Sequence, residues 1–237
     1  MRYLLLHGFT GSPESLAGLR VPKGSVSPLL GGHLGSPVLG GFWDEVERLA
    51  THAQDCQGLF GYSLGGRFAL GMLARHPTRF AHAVIVSASP GLQTDAERDA
   101  RRDGDRRFIA LLRERGIAAF VAAWEKLPLW SSQGDLADAV RSAQREQRLR
   151  HDPEGLAQSL LRHGLAEMPD LRPQLAAVTS RVDVLVGERD EKFVTLGREL
   201  AALLPQATLT VAAGAGHNLL LERPELCSEL FAQGTPS

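Results

Sequence analysis

Gly58-Leu59-Phe60-Gly61-Tyr62-Ser63-Leu64-Gly65 decides how this 237-residue chain folds. Gly61 to Gly65 matches G-x-S-x-G, a pattern of little weight alone. Its setting supplies the weight. An apolar run, Gln57 to Tyr62, leads into it and a helical pattern, Gly65 to Arg75, leads out. That order of strand, sharp turn and helix is what a nucleophilic serine on a strained elbow requires. The glycines answer a steric need, because such a turn brings neighbouring backbones close together.

A serine hydroxyl is a weak nucleophile or base unless an imidazole takes its proton and an acid orients the imidazole. In sheets carrying this elbow the acid and then the histidine follow the serine along the chain. Asp190 in Gly187-Glu188-Arg189-Asp190 follows the apolar Val182 to Val186, and His217 in Gly214-Ala215-Gly216-His217-Asn218 follows Ala207 to Ala212. Both fall at the carboxyl end of a strand, as Ser63 does. Ser63, Asp190 and His217 are the expected catalytic set. Glu188 is the rival acid, and Asp183 lies at the wrong end of its strand. His7-Gly8-Phe9-Thr10-Gly11 follows the first strand, so the backbone N–H groups of Phe9 and Leu64 are the expected oxyanion donors.

Working outward, Tyr3 to Leu6 and Ala83 to Val86 complete five continuous apolar runs, as strands buried on both faces require. A weaker strand is expected at Ser25 to Pro28. Helical patterns at Phe42 to Ala53, Leu64 to Arg75, Val194 to Leu204 and Pro224 to Phe231 alternate with the strands. The expectation is an α/β fold whose sheet is mixed but mostly parallel. Pro90 to Val178 shows helices and no convincing strand. It reads as a cap inserted at about residues 91–178 of a single domain, 1–237, the alternative being helices packed at the side. Gly234 to Ser237 reads as a frayed tail.

The formal net charge of -1 offers no whole-molecule field for nucleic acid or membrane. Cys56 and Cys227 have no metal-like spacing and read as free thiols in a reducing cytoplasm. No segment is long enough to span a bilayer. No metal or cofactor is expected, and oligomeric state is not legible. His52, His76, His82, His151 and His163 cluster with no other ligands, and His33, in Gly31-Gly32-His33-Leu34-Gly35-Ser36, reads as structural. Arg67, one helical turn after Ser63, projects near it. The cap holds Arg98, Arg101, Arg102, Arg106 and Arg107 among acids, and a second basic stretch, Arg141, Arg145, Arg148 and Arg150. Most are a solvated face; one or two facing inward suit a carboxylate.

Beyond the triad motifs, Gly65-Gly66-Arg67, Ser89-Pro90-Gly91-Leu92-Gln93, Ala123 to Trp130 and Gly187-Glu188-Arg189-Asp190-Glu191-Lys192-Phe193 are more specific. With them the chain resembles, over nearly its whole length, the 2-succinyl-6-hydroxy-2,4-cyclohexadiene-1-carboxylate synthases of menaquinone biosynthesis, in the α/β-hydrolase superfamily. The resemblance implies a lyase that eliminates pyruvate from a succinyl-enolpyruvyl-hydroxycyclohexene carboxylate by proton abstraction, without acylation. It also implies substrate contacts from Tyr62, Arg67, Arg101, Trp124 and Arg150. Against the fold's usual eight strands a smaller sheet is expected, without the first antiparallel strands, and Pro13 to Pro28 is short. A carboxylester or C–C bond hydrolase using the same triad is the alternative. A silent binding protein on the scaffold sits poorly with an intact triad.

Overall fold

Tyr3–Leu6 forms β1 and Gly58–Tyr62 forms β2, each buried along its whole length. His82–Val86 forms β3, Arg181–Gly187 β4 and Ala207–Ala212 β5. The computed structural model describes residues 1–233, and the predicted frayed tail lies outside them. The five strands pair in chain order, β1-β2-β3-β4-β5, and every pair is parallel. The mixed sheet expected from sequence is thereby corrected: among the described residues no antiparallel strand joins it. Ser25 to Pro28 is reduced to one bridging residue, Val26, which exchanges hydrogen bonds with Tyr3 and Leu5 at 2.9 Å. Pro28 has no N–H with which to continue a ladder.

Alternate side chains point to opposite faces. Leu4, Leu6, Leu59, Ile85 and Val184 face α1 (Phe42–Ala50), α2 (Leu64–Arg75) and part of the insertion. Tyr3, Leu5, Phe60, Val84 and Leu185 face the C-terminal elements. The insertion comprises α3 (Asp95–Trp124), a 3-10 segment (Pro128–Asp135), α4 (Asp138–Leu149), α5 (Pro153–His163) and α6 (Arg172–Leu175). After β4 comes α7 (Glu191–Leu203), and after β5 come α8 (Leu219–Glu222) and α9 (Pro224–Gln233). A separate apolar cluster, including Phe120, Trp124, Trp130 and Leu156, holds the cap together. It sits over the strands' carboxyl ends, since Phe120 and Trp124 pack on Phe9 and Trp130 packs on His217. Leu165, Met168, Leu171, Leu175 and Val178 belong to the main core, so the last part of the insertion is foundation, not cap.

Two buried polar assemblies lock this arrangement. Below, the Tyr3 hydroxyl donates to His82 Nδ1 at 2.6 Å, and His82 Nε2 donates to Asp183 at 2.7 Å. The link joins β1, β3 and β4 across β2, and it passes over Gly58, where a Cβ would lie 2.5 Å from the Tyr3 ring. Above, His7, His33 and His151 stack edge to face, with centroids 5.1 and 5.5 Å apart. His7 Nε2 accepts the Leu30 N–H, and His33 Nε2 accepts the Thr10 N–H, both at 3.2 Å. Those roles require neutral rings. Burial supplies them, holding His7 down at about 4 and His33 well below its ordinary value.

Tyr3→Phe leaves His82 Nδ1 buried without a donor, so unfolding free energy should fall by about 1–3 kcal/mol; an unchanged denaturation midpoint would refute the lock. Acid should act on the upper assembly. His7's folded pKa of about 4 lies below its ordinary 6.5, so between those values the unfolded chain binds a proton that the folded chain refuses. Its contribution is whole above about pH 6.5 and is lost as pH falls toward 4, by up to about 3 kcal/mol. Urea unfolding across that range measures it, and a flat profile would contradict it.

Candidate active site

Ser63 joins β2 to α2 with φ 52° and ψ −108°, a left-handed backbone that few non-glycine residues adopt. Its N–H donates to Val86 O at 2.9 Å, pinning the turn to the end of β3. A Cβ on Gly65 would lie 2.2 Å from Leu6 O, and one on Gly61 2.5 Å from Gly65 O. Only glycine on both sides lets the elbow approach β1 this closely.

His217, in the loop between β5 and α8, is 1% exposed at its side chain. Its Nδ1 donates to Asp190 Oδ2 at 2.7 Å, which leaves Nε2, 3.0 Å from Ser63 Oγ, to accept the serine proton. Phe193, Tyr62 and Trp130 enclose the ring, with Phe193 nearest at 4.5 Å between centroids. Three residues distant in sequence thus form one hydrogen-bonded line at the carboxyl edge of the sheet. Glu188 is exposed and turned away, accepting the Gly214 N–H at 2.8 Å.

The loop His7 to Gly11 lies beside this line. Thr10 has φ 62°, and a Cβ on Gly8 would strike the Tyr62 ring at 2.7 Å. Leu64 opens α2, so its N–H has no acceptor within the helix. Phe9 packs against Trp124, with centroids 5.3 Å apart.

A cavity of about 650 Å³ opens next to the loop, with Gly8, Phe9, Tyr62, Trp130, Arg148 and Asn218 in its wall. The residues expected to bind substrate divide into groups. Tyr62 and Arg150 line this cavity, but Arg150 is half exposed and paired with Glu14. Trp124 belongs to the cap's aromatic cluster behind Trp130. Arg67 and Arg101 lie near each other away from that wall. Arg67 donates to His163 O at 3.0 Å, and Arg101 donates to both oxygens of Asp105 at 3.0 Å. Burial and the charge of Arg101 bring Arg67 down to about 9.

Arg148 was not singled out by sequence. It is 4% exposed, donates to Glu125 at 3.1 Å, and sits 5.2 Å over the Trp130 ring. Spacing alone could not pick it out, since Arg141, Arg145 and Arg148 share one face of α4 yet Arg141 and Arg145 are nearly half exposed.

The Alpha/beta hydrolase family model matches residues 3–230. A 2-succinyl-6-hydroxy-2,4-cyclohexadiene-1-carboxylate synthase from Salmonella agona is 32% identical over 239 residues, covering 97% of this chain and 92% of its own. The Escherichia coli O1:K1 protein of the same name is 33% identical over 231 residues, covering 93% and 88%. The solved structure of MenH from S. aureus superposes with a TM-score of 0.90 at 28% identity, over 99% of this chain and 92% of that one. An elbow serine, a roofing cap and relatives aligned along both therefore agree: this chain belongs to the α/β-hydrolase family and, within it, to the 2-succinyl-6-hydroxy-2,4-cyclohexadiene-1-carboxylate synthases.

Proposed function

We propose that this enzyme is a carbon–oxygen lyase that eliminates pyruvate from a succinyl-enolpyruvyl-hydroxycyclohexene carboxylate, with Ser63, His217 and Asp190 moving the proton. The observation that carries the reading is the Ser63–His217–Asp190 line, whose chain neighbours Tyr62 and Asn218 help wall a cavity together with a buried arginine. His217, acting through the Ser63 hydroxyl, removes the proton next to the succinyl carbonyl. The C–H electron pair becomes an enolate, whose oxygen takes the backbone N–H groups of Phe9 and Leu64. Collapse of the enolate expels the enolpyruvyl oxygen, which leaves as pyruvate after protonation on carbon. Asp190 keeps the proton on Nδ1 and stabilises the imidazolium. No covalent serine intermediate is needed.

A substrate with several carboxylates explains the cations. Arg148 lies in the wall and is little screened by water. Arg67 and Arg101 form a second cationic place away from that wall, where a further substrate carboxylate would compete with Asp105, already bonded to Arg101. Tyr62 lines the cavity beside Arg148, with Trp124 shaping the roof and Arg150 at the mouth.

Ser63→Ala and His217→Ala should each lower pyruvate release by several powers of ten, and the double variant should lose little more, because the residues act as a unit. Asp190→Asn should be severe and Glu188→Gln mild; the reverse order would overturn the acid assignment. Arg148→Gln should lower kcat/KM for the carboxylate substrate about tenfold or more, the loss of one charged hydrogen bond. Nitrophenyl acetate cleavage should hardly change. A coupled pyruvate assay run beside ester hydrolysis reads both. Fast ester turnover with a nitrophenol burst and no pyruvate would leave the hydrolase reading in its place.

A further inference from the structure

The loop carrying His217 contains Gly214, at φ 67°, and Gly216, and glycines leave a backbone loose unless something holds it. Glu222, the last residue of α8, does the holding. Its Oε2 accepts the Gly216 N–H at 2.6 Å, and its Oε1 accepts the Asn218 N–H at 3.2 Å. These are the two residues flanking His217. Oε1 also accepts the Ser132 hydroxyl at 3.1 Å, from the cap segment whose Trp130 packs on the His217 ring. The approach is tight, since a Cβ on Gly216 would lie 2.0 Å from Ser132 Oγ.

We infer that Glu222 is a positioning residue for His217: its carboxylate clamps the backbone on both sides of the imidazole and, through Ser132, ties that clamp to the seated cap. The inference rests on His217 being the base proposed above. A carboxylate accepting backbone N–H groups makes bonds roughly twice as strong as neutral ones. Proton transfer needs Nε2 within hydrogen-bond reach of Ser63 Oγ while Nδ1 stays on Asp190, so a small drift of this loop breaks both contacts. With Ser132 gone the clamp persists but loses its tie to the cap.

Glu222→Gln tests this with almost no change of shape. The amide keeps one acceptor oxygen and turns N–H groups toward another N–H. Turnover should fall on the order of 10–100-fold, as sub-ångström misplacement of a catalytic group does, while KM hardly moves. Ser132→Ala should show a smaller loss of the same kind. A second readout needs no substrate: the low-field proton resonance of the His217–Asp190 hydrogen bond, assigned by its disappearance in Asp190→Asn. It should shift and broaden in Glu222→Gln. If wild type releases no pyruvate, the lyase reading fails alone, and the resonance still decides the role of Glu222. A folded Glu222→Gln protein with unchanged resonance and kcat, or one that loses only thermal stability, would overturn the inference. Should Glu222→Gln not fold, Ser132→Ala is read by the same two measures, and no change in either overturns the inference equally.

Discussion

The site depends on a single constraint, the left-handed backbone of Ser63. A conformation of that kind costs on the order of 1–3 kcal/mol and persists only where its surroundings over-determine it. Here the flanking glycines remove the steric objection, the Ser63 N–H is tied to β3, and α2 starts at the next residue. Relaxing the turn would swing Oγ away from His217 and move the Leu64 N–H together with it. The Ser63 hydroxyl and an expected oxyanion donor share one piece of backbone, so neither can be misplaced alone.

Around the elbow, each neighbouring loop is held by groups that the reaction does not consume. Neutral histidines grip the loop after β1 from behind, while Phe9 enters the cap's aromatic cluster in front. The parallel sheet makes this convergence possible, because parallel strands end together and so do the loops that follow them.

The order of strands and helices was legible because both-face burial leaves continuous apolar runs, as at Tyr3–Leu6 and His82–Val86; Ala207–Ala212 forms a strand where expected, but as the sheet's edge it is half-buried or exposed over most of its length and not buried on both faces. The hydrogen-bonded line of Ser63, His217 and Asp190 was legible as a meeting of three loops because each residue follows a strand within a few positions. What escaped was whatever depends on phase or on distant contacts. Arg148 and Arg150 differ by two positions, enough to place one in the interior and the other in solvent. His82 appeared ordinary because its partners, Tyr3 and Asp183, are 79 and 101 residues away. Val26 failed as a strand for want of a neighbouring N–H at Pro28. That Leu165 to Val178 joins the main core was not legible because its apolar residues read like those of the segments before it, and only packing shows which core receives them.

The helix α3 is interrupted at Gly116, with φ 73° and ψ −176°, a backbone open in practice to glycine alone. Before the break, Arg98 is bolted to the carbonyls of Leu92, Ala166 and Met168; after it, Phe120 and Trp124 overhang Phe9. The continuous-looking helix is therefore a pillar and a rafter joined at one residue. A longer or shorter pillar changes the height of the roof, whereas any side chain at the joint changes its pitch. Substitutions on the pillar's exposed side leave the joint untouched, but the joint admits one amino acid for as long as the rafter keeps its angle.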